Sequence, residues 1–548
     1  MKKSDQLLAA LFSLRNRYGT GAALQKMQLM DSIGMAGLTR SKSIRLYHDV
    51  LLFLIAYPDN RKVAVKAREL LAAVQGLIRS RTLLQDHLYN SGITQTAVCA
   101  AFSFEMVRWI RHQYPDDITL VSFEAGDGQL QSIHSAILPK VESEILQDAN
   151  AGWKEWLYQS LPEGTNLLDA IISVFKREDI RPGIKDELWN AMGINTEIRF
   201  SNDLQLSGHL VNHFYHRSLV RHFLPAHTSF SPRKVILSIE AAQQVLASSR
   251  MVLVRHLREI DPISFTDPQL ISYYHCQRGI SIALMGMVTD RRHPIDSYMG
   301  YVVFRNGLPV AYAGSWIFFD SCRIGLNVFP AYRGGESAYI FQQVLQLHAT
   351  VYRLKRFTVD PYQIGKDNHD GIHSGAFWVY YHAGFRPMKK NLADMAEQEA
   401  RAIKNTNGYR TSAAVLKKLA DGRMEKRIKP NAFRFDATDM SRVYAAILKK
   451  QYQHDRVKAE KYSAQQLGAI LGISNQDDPR MQFVLQNWAV ILLFRKAALE
   501  KNSSLKRELK KLFQLKAAGK EEDYIRALQQ ATRLRSYLIS IMKELSII

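Results

Sequence analysis

The sequence predicts an α+β, multidomain protein: a mixed β-sheet domain flanked by N-terminal and C-terminal all-helical regions. At 548 residues the chain exceeds what one hydrophobic core sustains, and about three or four units of ~100–200 residues are expected. Strand-rich sequence is concentrated in one block, from Ile280 to Phe329, which contains Asn306-Gly307, a pair that suits a type I′ hairpin because both positions need positive φ. On either side of that block apolar residues recur at helical spacing. The boundaries expected are 1–224 for the N-terminal helical region, 235–390 for the sheet domain and 391–548 for the C-terminal helical region.

Residues 1 to about 90 read as helices, with apolar faces at Leu7, Leu8, Leu11 and Leu14, then at Leu46, Val50, Leu51, Phe53 and Leu54. Pro58-Asp59-Asn60 breaks the pattern before Val63 to Ile78 resumes it. Ser91 to Thr94 reads as a break and cap before a helix from Gln95 to Arg111. Ile118 to Phe123 reads as a short strand, and Glu124 to Gly128 as its turn. Leu130 to Phe223 reads as helical again, with breaks at Pro162-Glu163-Gly164 and Pro182-Gly183. His209 and His213 then stand at i, i+4, a spacing that chelates a metal or simply makes a polar helix face. Pro225 to Pro232 is rich in breakers and small polar residues and reads as a linker.

After the helix Glu240 to Ser248, strands are expected at Ile280 to Met287, Tyr298 to Phe304, Val310 to Phe319 and Arg323 to Phe329. Tyr332-Arg333-Gly334-Gly335 follows, and Glu336 and Ser337 open an amphipathic helix carrying Ile340, Phe341, Val344, Leu345 and Leu347. A glycine-bearing turn feeding a helix offers unpaired N–H groups and the positive end of the helix dipole, which together suit one phosphate. Phe357 to Asp360 reads as a strand, and Asp360 to Gly375 as a long polar loop at its carboxyl end, a place that commonly carries function. Beyond Pro387 strands give way to helices at Ala393–Lys404, Ser412–Leu419, Met440–Gln451, Ala464–Leu471, Gln482–Asn502 and Tyr524–Leu545, with breaks at Gly472 and Asp477-Asp478-Pro479.

With 47% apolar and 23% charged residues the chain is globular in composition. The apolar runs DVLLFLIAYP and FVLQNWAVILLF fall short of the ~18–20 residues a spanning helix needs, and the basic N-terminus reaches no apolar signal core. No membrane span and a cytoplasmic location are expected. Cys99, Cys276 and Cys322 lack any CxxC spacing, which argues against a disulfide framework and a thiolate zinc site; Cys322 reads as a small apolar residue or a thiol nucleophile. The net charge is +22, and residues 389–548 hold 32 Lys+Arg against 17 Asp+Glu, so 32 − 17 = +15 lies in the C-terminal region. Such a tail suits nucleic acid or another acidic partner, or is a solvated lysine-rich surface.

The order strand, Arg-Gly turn, helix, strand, short helix and Gly-Phe resembles the cofactor-binding half of the GNAT superfamily of N-acetyltransferases. The matching residues are Tyr332 to Gly335 and Tyr380-Tyr381-His382-Ala383-Gly384-Phe385, within a resemblance covering roughly residues 280–387. It departs from the family at Glu336, where the turn's central glycine is usual and where a carboxylate repels phosphate unless it turns back to cap the helix, and at His373, where an Asn is frequent. The resemblance implies a GNAT-like mixed sheet that binds acetyl-CoA or another acyl-CoA through Val328, Arg333, Gly334, Gly335, Glu336, Ser337 and Ala338. It implies Tyr380, with Tyr381 as the fallback, as the acid that protonates the departing thiolate. His373 and His382 are the candidate bases in the right titration range, with Asp320, Glu336 and Asp360 as carboxylate candidates. The function implied is acyl-CoA-dependent N-acyl transfer to an amine, small molecule or protein, that the sequence leaves open. Two alternatives fit the same residues: a non-enzymatic GNAT-like scaffold that binds nucleic acid or a protein partner through its basic flank, and an aminoacyl-tRNA-dependent transferase.

Overall fold

The computed structural model describes residues 3–34, 37–147, 152–201, 203–225, 229–430, 432–473 and 478–547. Part of the expected linker, 226–228, and Asp477 of an expected break lie outside the described residues. The fold is α+β, with 25 α-helices and 13 strands in two sheets among the described residues. No helix among them is long and apolar enough to cross a membrane.

The N-terminal region is not all-helical. Helices Lys3–Leu14, Thr20–Ser32, Ser41–Ala56 and Arg61–Arg79 come first, and then a small sheet is built from β1 (Ala97–Ala101), β2 (Ile118–Phe123) and β3 (Ile194–Arg199) in the order β1-β3-β2. Of these, β2 was expected. The run AVCAA, expected inside a helix, is β1 instead, paired antiparallel with β3 so that Val98 faces Ile198. The helix begins only at Phe104, where the Ser103 hydroxyl accepts the Met106 N–H at 3.3 Å. Alanine-rich sequence favours a helix locally, and pairing with a strand about a hundred residues away overrides it. Residues 203–223, also expected to be helical, run over the surface of the large sheet, with a single 3-10 turn at Gly208–Leu210. His209 and His213 therefore share no helix face, and among the described residues no group of His, Cys, Asp and Glu could hold a metal.

The large sheet holds β4 (Arg233–Val235), β5 (Ile271–His275), β6 (Ile280–Met285), β7 (Ser297–Arg305), β8 (Leu308–Phe318), β9 (Ser321–Ile324), β10 (Asn327–Val328), β11 (Arg356–Val359), β12 (Arg386–Pro387) and β13 (Met424–Arg427). Its order is β12-β13-β11-β9-β8-β7-β6-β5-β4, with β10 also on β8. The expected hairpin joins β7 to β8, with Asn306 at φ 46° and Gly307 at φ 86°. Among the described strands β9 and β11 form the only parallel pair, closed by the crossover helix Ser337–Val351. That helix lays Ile340, Phe341, Val344, Leu345 and Leu347 onto the sheet, all buried as their spacing predicts. The expectation that strands end at Pro387 is corrected by β13, which inserts between β11 and β12. Its sequence, MEKR, is too short and charged to read as a strand, and its pairing partners supply what the sequence lacks.

Three hydrophobic cores result. The largest is continuous from the N-terminal helices across the large sheet, the second lies within the C-terminal helices and reaches Phe318 and Phe319, and the third fills the small sheet's domain. The C-terminal helices include Ser503–Ala518, a lysine-rich stretch that was not expected as a helix, and a break after Leu493 divides the expected Gln482–Asn502. Trp488, 1% exposed, anchors this bundle by donating its indole N–H to the Pro294 carbonyl at 3.1 Å. Trp488→Ala removes both the packing and the anchor, and urea unfolding is expected to register a loss of about 3–5 kcal/mol.

Candidate functional site

The site begins where two strands part. β9 pairs with β11 only through Ser321, Cys322 and Arg323, opposite Arg356, Phe357 and Thr358. Beyond Ile324 the chain keeps its register with β8, Ile324 facing Ser315 and Asn327 facing Tyr312, but β11 no longer accompanies it. Asn327 and its neighbour Phe329 serve β8, so by strand alternation Leu326 and Val328 turn their backbone groups toward the gap. Into this gap comes the Tyr380 hydroxyl, which accepts the Leu326 N–H at 3.2 Å. Gln363 lies beside it, its side-chain amide 2.7 Å from where a Cβ on Gly325 would stand.

Tyr380 owes its position to the way its helix ends. In Ala376–His382 its ring stands edge-on to Phe341 at 5.2 Å and to Phe385 at 5.8 Å. Gly384, at φ 91°, turns the chain so that the Phe385 N–H reaches the Tyr380 carbonyl at 3.1 Å. Burial raises the pKa of the Tyr380 phenol, which keeps it protonated and able to donate.

The second part of the site is the amino end of the crossover helix. Arg333 and Gly335 spend their N–H groups on the carbonyls of Pro330 and Tyr332, each at 3.2 Å. Those of Gly334, Ser337 and Ala338 meet no acceptor among the described residues. Gly334 is exposed at φ 83°, Ser337 and Ala338 are half-buried, and Gly335 is covered by Tyr57, whose ring a Cβ there would meet at 2.7 Å. At the open end stand Arg333 and Arg15, with Arg221 close enough to Arg15 to act on its charge, and none of the three has a carboxylate partner among the described residues. The Arg15 guanidinium lies 3.7 Å from where a Gly334 Cβ would be, and its pKa is lowered by burial and by the like charge of Arg221. Cations without counter-charges beside a positive helix end are the chemistry that suits an anion.

The Glu336 side chain does not cap this helix. Its carboxylate is fully buried behind the turn, bonded to Arg305, to Arg278 at 2.6 Å and to the Val220 N–H at 2.7 Å. His216 lies against the same group, with Nδ1 3.9 Å from the carboxylate. Burial, with the charges of Arg305 and Arg278, pushes the His216 pKa down to about 2, so the ring is neutral. The carboxylate is thus neutralised internally and leaves the amides free.

The remaining sequence candidates are dispersed. Val328 is at the gap edge, where its carbonyl accepts from Arg333 Nε at 3.4 Å. Tyr381 packs on Phe377 and beneath the Arg386 guanidinium, 4.0 Å from the ring centroid. His373 and His382 are exposed. The loop 360–375 folds into a 3-10 turn and the short helix His369–His373, capped by Asn368, whose side chain accepts the Gly371 N–H at 3.0 Å. Its polar residues close turns. Asp320 binds Lys355 at 2.9 Å and Arg535 at 3.1 Å; against burial, which works the other way, these partners hold its pKa low, as suits a structural anchor. Asp360 bridges Arg323 at 3.3 Å and Arg423 at 3.0 Å. Cys322 is buried and its thiol pKa raised by desolvation, which removes its nucleophilic character. Arg15, Arg221 and Gln363 were not singled out in the sequence, because nothing local connects them to the turn.

No family model matches the chain, and neither a curated protein nor a solved structure is similar enough to count as a match.

Two outcomes follow from the buried charges. Glu336→Gln leaves Arg305 without a counter-charge in the interior and is expected to cost about 3–5 kcal/mol of stability in urea unfolding. His216 and His348, the latter pushed by burial to about 4, titrate lower in the folded chain than the ordinary 6.5. As pH falls below 6.5 the unfolded chain takes up these protons first, so stability is level above about pH 7.5 and declines toward pH 4. The slope expected is up to about 1.4 kcal/mol per pH unit for each group, and His348→Gln should flatten it.

Proposed function

We propose that the protein is an acyl-CoA-dependent N-acyltransferase built on a GNAT-like sheet. The observation that carries this reading is the pairing of two features on one strand and helix: a gap between β9–β10 and β11 with a phenol in it, and an open, arginine-ringed helix end just downstream. The diphosphate of the donor would take the N–H groups of Gly334, Ser337 and Ala338 with the charges of Arg333, Arg221 and Arg15, and its extended arm would run along Leu326 and Val328.

The transfer then asks little of the protein. A neutral amine attacks the thioester carbonyl, the N–C bond forms and the C–S bond breaks. The thiolate leaves with the electron pair and takes a proton from Tyr380, the amine gives one proton to solvent, and Tyr380 regains its own from solvent. The Leu326 N–H and the edge of Phe341 fix the phenol's orientation, so positioning supplies most of the acceleration. Gln363 and Tyr57 favour a second reading, a non-enzymatic sheet whose basic surface binds an acidic partner, because the first occupies the gap and the second roofs the turn.

Calorimetric titration with acetyl-CoA separates the two. Saturable binding that Arg15→Ala weakens by about tenfold supports the transferase, and folded protein that gives no heat at millimolar acetyl-CoA rejects it. In turnover with any competent amine, Tyr380→Phe is expected to lower kcat by about 10²–10⁴-fold with little change in the KM for the donor.

A further inference from the structure

A cavity of about 230 Å³ opens on the sheet face shared by Trp316, Arg323 and Thr358, beneath the segment 434–439. Their strand neighbours Ile317, Ile324 and Phe357 point the other way, into the core with Phe341. The cavity adjoins the strand gap, because Arg323 and Thr358 form the last pair before β9 and β11 separate and Gly325 is two residues on. It is smaller than the ~300–1,000 Å³ of drug-sized pockets, which limits its occupant to something of amino-acid size.

The polar groups on its wall fall into two sets. Arg356 is held by Glu425 at 2.9 Å, and Arg423 by Asp436 at 2.8 Å and Asp360 at 3.0 Å. Asp436 and Asp439 complete a capping box on the helix Ala437–Tyr452, and Asp296 takes His293 Nδ1 at 3.0 Å. The second set consists of donors with N–H groups to spare. Arg323 touches Asp360 through Nη1 at 3.3 Å, but its buried Nε has no acceptor. Its guanidinium is fixed 4.4 Å over the Trp316 ring, which Tyr298 stacks at 4.1 Å. Arg434, also on the wall, is exposed and has no carboxylate partner among the described residues. Phe318, Phe435 and Met388 supply apolar surface between them. Free donors with no free carboxylate select an anionic group, and the aromatic surface selects an apolar body.

We infer that this cavity binds the acceptor and that the acceptor is a small amino acid-like amine, with a carboxylate for Arg323 and Arg434 and an apolar side chain for Phe318 and Phe435. This rests on the acyltransferase reading for the word acceptor. The carboxylate at Arg323 keeps an α-amino group beside the gap, where the thioester of the donor would lie.

The test is calorimetry on the full-length chain with L-phenylalanine, 3-phenylpropionate and phenethylamine, run beside the acetyl-CoA titration. L-Phenylalanine and 3-phenylpropionate are expected to bind saturably, phenethylamine at least tenfold more weakly. Arg434→Ala, at an exposed position that leaves the thermal midpoint unchanged, is expected to weaken L-phenylalanine at least tenfold and acetyl-CoA not at all. Absence of heat from all three ligands, equal affinity for phenethylamine, or an unchanged Kd in Arg434→Ala each overturns the inference. Donor binding without any of these ligands leaves the acyltransferase reading standing and removes this one. Binding of L-phenylalanine without the donor keeps the carboxylate site and removes its role as an acceptor site.

Discussion

The arrangement depends on one buried carboxylate. Glu336 sits at the first turn of the crossover helix, and there its charge would naturally fold back onto the helix amides. It is drawn inward instead by Arg305 at the end of β7 and by Arg278 in the turn between β5 and β6, with the Val220 N–H as a further donor. The same cluster reaches the N-terminal helices, since the His216 N–H bonds the Pro58 carbonyl at 2.7 Å and the Arg305 guanidinium lies 4.8 Å from the Tyr57 ring. A second buried pair, Lys26 with Asp59 at 2.7 Å, stands just behind. Burying such charges is costly unless each is paired, so the pairing also fixes how the N-terminal helices dock on the sheet.

The exterior of the turn follows from that interior. With its acid withdrawn, the helix end keeps a positive face, and the charges near it come from distant stretches, Arg333 in the turn and Arg15, itself beside Arg221. The N-terminal region is therefore part of the candidate site. The C-terminal region contributes in the same way on the opposite face of the sheet, where the segment 434–439 roofs the cavity over Arg323.

Much of the central fold was legible. Asn306-Gly307 marked the hairpin because only certain residues tolerate two successive positive φ values, and the spacing from Ile340 to Leu347 marked the buried stripe of the crossover helix. Tyr380 was placed through its relation to Gly384, a glycine required where the helix ends with φ 91°. The failures share a cause. AVCAA and MEKR are short strands whose sequences carry no period of their own, and INTEIR alternates but is too short to stand out from its helical surroundings; each exists because a partner far along the chain pairs with it. The helical reading of His209 and His213 failed because residues 203–223 are held by contacts to the sheet, with Gly208–Leu210 as the one helical turn among them.

By itself, then, the sequence determined what depends on neighbours within a few residues: helix faces, the hairpin turn, the glycine that opens the amide end, and the glycine that positions a tyrosine. Only the tertiary structure decided where the charge of Glu336 goes, which arginines stay unpaired, and where β9 and β11 separate. Those outcomes are differences between competing partners brought together from across the chain, and a carboxylate takes the cations that burial leaves it, which local sequence does not encode.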